Sequence, residues 1–365
     1  MLSDSRRNIG IDFLRGVAIV LVLIFHYMTK TLDAQSGELS RVLIRFTYYF
    51  NSGVDLFFVI SGFLITGILL KQREQHHFAV DFIKRRIARI VPLYFIGVII
   101  VYSLFTTGMF NGSEWGRNDN IPWYSYLIFG QNEWMALQGD MGSRMLAPYW
   151  SLGIEIQFYI LILIMAWIFS KGQLAILFTA GIILAPFFRI MDGGVIGSYT
   201  HFYCRMDSVF AGGLIAWIFS SKRNELYFHS IRRHMRFIQL ILILLAIAIT
   251  IRLIKVPSSF IPTFFMFLFG IALMVAYTSS DYIRSSFVKS VLIFLGRYSY
   301  GIYIFHEIWR GTLFFALVGH APQLINFRDL SLTLLSLVVT MVSAFLSYHS
   351  IERYFLRTFR SAAST

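Results

Sequence analysis

Two side chains that could do acid–base and electrostatic chemistry lie in the first apolar segment of the chain. Arg15 and His26 stand in "GIDFLRGVAIVLVLIFHY", residues 10–27. Eleven residues of α-helix turn by about 1100°, so the two side chains face the same way, about 16 Å apart along the axis. This spacing predicts a polar stripe on an otherwise apolar helix. The alternative is that each side chain snorkels to lipid headgroups.

Further polar and ionisable groups occur inside other apolar segments. They are Asp55 and Ser61, Glu155, Arg205 and Asp207, and His306 beside Glu307. Charged groups within hydrocarbon are costly unless paired, and they usually face the interior of a helix bundle. Arg205 with Asp207 is a candidate structural ion pair, and a lone histidine is more often structural than catalytic. Together, however, these groups exceed what helix packing usually needs.

A basic segment, "DFIKRRIARIVPLY", follows the second apolar segment. Arg86 and Arg89 are three residues apart, so on a helix they point to the same side. Guanidinium groups match the geometry of phosphate oxygens, which predicts a phosphate clamp. The alternative is an anchor for membrane topology, a role that any basic inner loop can fill.

The composition indicates a membrane protein. Of the 365 residues, 57% are hydrophobic and 14% are charged, whereas soluble chains have about 45–50% and about 25%. We predict an all-α polytopic protein with about ten spans, each near the length that crosses a bilayer. The predicted spans are 11–29, 50–70, 90–107, 149–169, 174–191, 205–220, 237–254, 262–278, 298–318 and 330–352.

The basic residues predict the orientation of these spans. With the N-terminus inside, 19 Lys and Arg residues lie in inner segments, 7 in outer segments and 6 in or beside spans. Basic residues concentrate in cytoplasmic loops, so both termini are predicted to be cytoplasmic. The net charge of +13 therefore reflects topology and does not indicate a nucleic-acid partner.

The organisation predicted for residues 1–365 is a single membrane domain without an additional soluble domain. Cys204 is the only cysteine in the sequence, so no intrachain disulfide can form. The first apolar run is long, contains ionisable residues and lacks a following small-residue cleavage site. It therefore does not read as a cleavable signal peptide.

Several segments together resemble the acyltransferase-3 family of integral-membrane acyltransferases that modify bacterial envelope sugars. The matching text includes "IDFLRGVAIVLVLIFHY", "GVDLFFVISGFLI", "FIKRRIARIVPLY", "YWSLGIEIQFY", "CRMDSVFAGGLIA" and "LGRYSYGIYIFHEI". The Arg-x10-His element of the family falls on Arg15 and His26, and its Arg-x2-Arg element falls on Arg86 and Arg89. Glu155 matches the Glu of its Trp-Ser-Leu segment.

The resemblance implies a ten-helix enzyme of the bacterial inner membrane. It would take an acyl group, usually acetyl, from cytoplasmic acyl-CoA as co-substrate, with no bound cofactor. The acceptor would be a hydroxyl of a cell-envelope polysaccharide or glycolipid, such as the O-antigen of lipopolysaccharide. Gly153 and Ile156 depart mildly from the family pattern. Some relatives carry a further soluble domain, so a second transfer step would here need another protein.

The resemblance also implies roles for the motif residues. The three motif arginines would hold the CoA end of the donor near the inner face. His26 would act as general base on the acceptor hydroxyl near the outer face, because imidazole titrates near working pH. Glu155 would orient the imidazole, and small residues around Ser61 would leave room for the thioester arm. An acyl-His or acyl-Ser intermediate is the alternative to direct transfer.

Two other classes of protein compete with this interpretation. A transporter or flippase for a glycan or small polar substrate also needs buried ionisable groups, but we find no internal repeat in the sequence. A metal or haem protein using His26 and His306 would need a clustered ligand set, which the sequence does not show. We therefore predict no metal. The acceptor itself is not readable from the sequence.

Overall fold

The computed structural model describes residues 8–35, 37–75, 77–116, 120–279 and 286–361. Within these residues the chain is helical and contains no strand, as expected where each backbone group needs a partner inside its own helix. The all-α fold class is thus confirmed. Some basic residues of the topology count lie outside the described residues, namely Arg6, Arg7, Arg117 and Arg284.

The helices vary from short surface turns to long spanning segments. In chain order they are α1 (Ile9–Ile24), α2 (Glu38–Thr47), α3 (Gly53–Gln72), α4 (Phe78–Phe105), α5 (Trp123–Leu127), α6 (Gln131–Gln138), α7 (Trp150–Ile168), α8 (Lys171–Asp192), α9 (Val195–Thr200), α10 (Phe202–Ile218), α11 (Lys222–Ser230), α12 (Arg232–Thr250), α13 (Ile261–Thr278), α14 (Phe287–Val318), α15 (Phe327–Ser347) and α16 (Arg353–Ser361). Two widened π-helical turns, Phe25–Thr29 and Tyr348–Glu352, extend α1 and α15.

Each of the ten predicted spans falls on one of the long helices. Within the described residues, eight helical segments are long and apolar enough to cross a bilayer. The number is nine if Val195–Ile218 (α9 and α10) and Lys222–Ser230 (α11), which are bent by 103°, count as one span. The predicted span 298–318 lies in α14, whose 32 residues extend over about 48 Å. α14 is not among these segments, and its sequence carries the charged residues Arg297, Glu307 and Arg310. The cytoplasmic orientation of the termini stays a prediction.

Two glycines allow α1 and α14 to pack backbone to backbone. A Cβ added at Gly16 would overlap the carbonyl of Leu292, and a Cβ added at Gly296 would overlap the carbonyl of Asp12. Small residues at helix crossings permit such close approach in membrane proteins. This contact matters for the site, because it aligns α1, whose terminal π-helical turn carries His26, with α14, which carries His306.

A second pair of glycines joins α3 to α10. A Cβ at Gly62 would overlap the carbonyl of Val209, and a Cβ at Gly212 would overlap that of Val59. Gly67 lies one turn further along α3, but a Cβ there would meet only the Ala216 Cβ at 3.9 Å. The two glycines of α3 are therefore not equivalent in the packing.

We expect Gly62→Ala to lower the thermal stability of the purified protein, whereas Gly67→Ala leaves it nearly unchanged. The added methyl group at Gly62 must push two backbones apart, and overpacking of this kind typically costs about 1–3 kcal/mol. Apparent melting temperatures in detergent provide the measurement, with Gly67→Ala as the matched control. Equal melting temperatures for both variants would contradict the close α3–α10 contact.

Candidate active site

The three motif arginines line one narrow cavity between α1, α3, α4, α7 and α14. Its volume is about 90 Å³, and we call it the arginine cavity. Arg86 and Arg89 both lie on α4, which begins at Phe78 and therefore includes the basic segment that the sequence placed in a loop. The polar and charged residues of the lining are Arg15, Ser61, Arg86, Arg89, Ser151, Glu155, Tyr159, Ser299, Tyr300 and Tyr303.

Glu155 is held inside the arginine cavity by two hydroxyl groups. The Ser61 hydroxyl donates to Oε1 of Glu155 at 2.7 Å, and the Tyr159 hydroxyl donates to the same oxygen. The guanidinium of Arg86 lies 6.0 Å from the ring centroid of Tyr159. Nε of Arg86 is buried and has no hydrogen-bond partner among the described residues. The cavity thus presents a donor suited to an anionic oxygen.

A buried carboxylate balances part of the positive charge at the arginine cavity. Glu352 is only 7% exposed and lies on the widened turn after α15. It is close enough to Arg89 and Arg15 to interact with both electrostatically. An anionic ligand that engages these arginines would compete with this carboxylate.

A much larger cavity, of about 960 Å³, contains His26. We call it the histidine cavity. It lies between the end of α1, the turn before α3, the segments around residues 113–116 and 139–148, and α9. Its lining is polar and carries both signs of charge, and it includes Lys30, Asn51, Glu114, Asp140, Arg144 and Tyr199. Its volume is at the upper end of the range typical of ligand pockets.

His26 is paired with a buried carboxylate on α14. Its Nδ1 lies 2.6 Å from Oε1 of Glu307, and the two side chains are 22% and 2% exposed. Arg310 donates to Oε2 of Glu307 at 2.7 Å and also to the backbone carbonyl of His26. The widened turn Phe25–Thr29 carries His26, and such π-helical turns are frequent at functional sites. An imidazole backed by a buried carboxylate is equipped to accept a proton.

A second histidine adjoins this pair. The ring of His306 is fully buried, and its centroid lies 4.9 Å from that of His26. Its Nδ1 lies 2.7 Å from the backbone carbonyl of Tyr303, which assigns the proton to that nitrogen. Its Nε2 therefore carries the lone pair and lies 3.9 Å from Oε1 of Glu307.

The two cavities meet at Tyr303 and Val54, which line both of them. The hydroxyl of Tyr303 donates to the carbonyl of Pro148 at 2.7 Å and lies 2.7 Å from Oγ of Ser151. A group held by the arginines thus lies on one side of Tyr303, and His26 lies on the other. The two cavities thus share part of their lining at this tyrosine.

The family of this helix bundle follows from its similarity to a known protein family. The model of the acyltransferase-3 family, described as an acyltransferase domain, matches residues 8–349. The chain belongs to the acyltransferase-3 family. The match includes every residue that lines the arginine cavity and the histidine cavity.

Named relatives of this acyltransferase-3 chain occur in Staphylococcus aureus. "Putative O-acetyltransferase SACOL0978" of strain COL is 27% identical over 371 residues, covering 95% of this chain and 57% of the relative. "O-acetyltransferase OatA" of strain NCTC 8325 is 31% identical over 161 residues, covering 42% of this chain and 23% of the relative. The chain thus spans little more than half the length of SACOL0978. No solved structure matches it.

The acyltransferase-3 fold brings most of the predicted site residues together. The carboxylate beside His26, however, belongs to Glu307 and not to Glu155. The arginines, Ser61 and Glu155 share the arginine cavity, while His26 lines the histidine cavity. The expectation that Glu155 orients His26 does not agree with the structure, because Glu155 bonds to Ser61 and Tyr159 instead. Glu307 lies beside His26, at the position that was expected for Glu155. The sequence could not decide which helix packs beside α1.

The predicted ion pair between Arg205 and Asp207 is wrong. Arg205 donates to Asp55 at 2.6 Å, and Arg189 donates to Asp207 at 2.9 Å. Residues two apart on a helix point to different sides, so Arg205 and Asp207 cannot easily meet. These buried pairs connect α3, α8 and α10. Asp55, Arg205 and Asp207 therefore link helices of the scaffold beside the cavities.

The expectation that no metal-ligand set clusters is also wrong. One nitrogen each of His26 and His306 and a carboxylate oxygen of Glu307 all lie within 4.8 Å of one another. Sequence reasoning missed Glu307 and Arg310 as site residues. The segment "HEIWR" did carry a signal, since Glu307 and Arg310 are three apart in an apolar helix and pair on one face.

Proposed function

We propose that this protein is a membrane O-acyltransferase. It transfers an acyl group, usually acetyl, from an acyl-CoA molecule that the arginine cavity holds in part to a hydroxyl of a cell-envelope polysaccharide or glycolipid in the histidine cavity. The observation that carries this proposal is the meeting of the two cavities at Tyr303, with the His26–Glu307 pair beside the junction. The family and the O-acetyltransferase names of its relatives support the same reaction.

The donor would be held through its phosphates. CoA carries a diphosphate and a 3′-phosphate, and arginine forks bind such groups through paired charge-assisted hydrogen bonds. Arg86 offers an unpartnered buried Nε, and Arg15 and Arg89 line the same cavity. Since basic segments face the cytoplasm, where acyl-CoA is made, we propose that the arginine cavity opens there. The protein would then reside in the bacterial inner membrane.

The chemical step would use His26 as a general base. Nδ1 faces Glu307, so Nε2 carries the lone pair that takes the proton of the acceptor hydroxyl. The hydroxyl oxygen attacks the thioester carbonyl, an ester forms, and the CoA thiolate leaves. The thiolate then accepts the proton from the imidazolium. Glu307 stabilises the imidazolium, while Arg310 keeps that carboxylate in place.

The acceptor site would be the histidine cavity. Its lining combines amide, carboxylate, ammonium and guanidinium groups with the aromatic rings of Trp150 and Tyr199. Hydroxyl-rich sugars use both kinds of surface, since polar groups bind the hydroxyls and aromatic faces pack against apolar ring edges. A glycan or glycolipid such as O-antigen fits this description.

The direct test uses purified protein in lipid nanodiscs with acetyl-labelled acetyl-CoA and O-antigen-bearing lipopolysaccharide. We expect label to become ester-linked to the polysaccharide, with equimolar release of CoA thiol detected by a thiol-reactive dye. The ester should be lost on mild alkaline treatment. A transporter or flippase would instead move the glycan across the bilayer without thiol release, and that outcome would reject the enzyme assignment.

A further inference from the structure

We infer that His26, His306 and Glu307 form a binding site for a divalent transition-metal ion, best matched by zinc, and that the bound metal inhibits the enzyme. The metal site stands on the geometry of these three side chains alone. Only the inhibition rests on the proposed function, because it acts through His26.

The positions of the ligand atoms fit a metal ion after small rotations. Nδ1 of His26 is 2.6 Å from Oε1 of Glu307, and Nε2 of His306 is 3.9 Å from the same oxygen. One possible ligand atom from each of the three side chains lies within 4.8 Å of the others. Zinc bonds of about 2.0–2.2 Å place neighbouring tetrahedral ligand atoms about 3.3 Å apart, between the two observed separations.

Two of the ligand atoms are buried acceptors with no hydrogen-bond partner among the described residues. They are Nε2 of His306 and Oε1 of Glu307. The close contact of Oε1 of Glu307 is its ion pair with Nδ1 of His26, at 2.6 Å. Buried polar atoms are nearly always satisfied, so the buried lone pair of Nε2 in His306, which faces a carboxylate oxygen, needs a positive or donating group between the two atoms.

The ligand side chains of His306 and Glu307 are oriented by further hydrogen bonds, as in known metal sites. His306 donates from Nδ1 to the carbonyl of Tyr303, and Glu307 accepts from Arg310 on its second oxygen. Metal-binding histidines commonly donate their other nitrogen to a carbonyl, which orients the ring. The positive charge of Arg310 also opposes a cation, so we expect micromolar affinity rather than the tighter binding of structural zinc sites.

The donor set selects the kind of metal. Two imidazole nitrogens and one carboxylate suit zinc, and also cobalt, nickel or copper, whereas magnesium and calcium prefer oxygen ligands. Two histidines and one glutamate leave a fourth position for water, as in catalytic zinc sites. The partly exposed ring of His26 opens that position to the histidine cavity.

Metal binding would remove the base without blocking the donor. A neutral imidazole has one ring proton and one lone pair. When the metal takes the lone pair of Nδ1 in His26, the ring proton must reside on Nε2, which it reaches through cavity water. Nε2 then has no lone pair for the acceptor hydroxyl. The arginine cavity is unaffected, so acyl-CoA still binds.

The binding experiment titrates ZnCl2 into purified protein by calorimetry, with Co2+ absorption as a second readout of ligand geometry. We expect one site with micromolar affinity, weakened at least tenfold in both His306→Gln and His26→Gln. His201→Gln is the matched control, because His201 also contacts carboxylates, of Glu133 and Asp192, but lines neither cavity. Unchanged zinc affinity in both test variants, or loss only in the control, would overturn the site.

The activity experiment tests the inhibition separately. We expect Zn2+ to suppress acetyl transfer over the same concentration range as binding, with unchanged acetyl-CoA affinity, and EDTA to restore it. Mg2+ should have no effect. Stoichiometric zinc binding with undiminished transfer would overturn the inhibitory role. Absence of transfer under every metal-free condition would contradict the proposed function, while the calorimetry would still decide the metal site.

Discussion

We expect the His26→Ala protein to transfer acyl groups about 10²–10⁴ times more slowly than the natural protein, which is the usual loss on removing a general base. Its affinity for acyl-CoA is expected to stay unchanged, because Arg15 and the other arginines line a separate cavity. Turnover and donor affinity measured on the same purified sample provide the test. A covalent role for His26 would make the loss larger.

His201→Ala provides the matched control for this prediction. Nδ1 of His201 also lies 2.6 Å from a glutamate oxygen, that of Glu133, so both variants remove a histidine from an ion pair. Only His26 lines the histidine cavity. If His26→Ala retains natural turnover, or if both variants lose turnover equally through misfolding, then the assignment of His26 as the base fails.

The double variant Arg86→Ala/Arg89→Ala should bind acyl-CoA at least a hundredfold more weakly. Each charge-assisted hydrogen bond contributes about 1.5–3 kcal/mol, and each 1.4 kcal/mol is about a tenfold change in affinity. Lysine at both positions should restore part of the affinity, since it keeps the charge but loses the planar fork. Calorimetry with a non-hydrolysable acyl-CoA analogue measures the effect.

The control for the clamp removes the same charge from the same segment. Lys84 and Arg85 directly precede Arg86 on α4, but neither lines the arginine cavity, and Arg85 donates to Gln72 instead. We expect Lys84→Ala/Arg85→Ala to bind acyl-CoA normally. Equal loss in both double variants, or loss in neither, would leave only the topology-anchor interpretation of the basic segment.

The sequence by itself determined the helical membrane fold and the family. An apolar run long enough to span the bilayer must form a helix, because a helix pairs all of its own backbone groups and unpaired groups are too costly in hydrocarbon. Local spacing also placed Arg86 beside Arg89 on one helix face, and both line the arginine cavity, while the shared face of Arg15 and His26 stays a prediction. These inferences depend on the periodicity of one helix, which neighbouring residues suffice to define.

Only the tertiary structure decided which side chains meet across helices. Glu307 lies beside His26, while Glu155 lies with Ser61 in the other cavity. Both carboxylates sit in apolar helices, so neither composition nor periodicity distinguishes them. The choice comes from helix packing, above all the contact of Gly16 and Gly296 that lays α14 along α1. The same long-range packing brings two distant histidines together, because contacts between helices depend on the whole bundle.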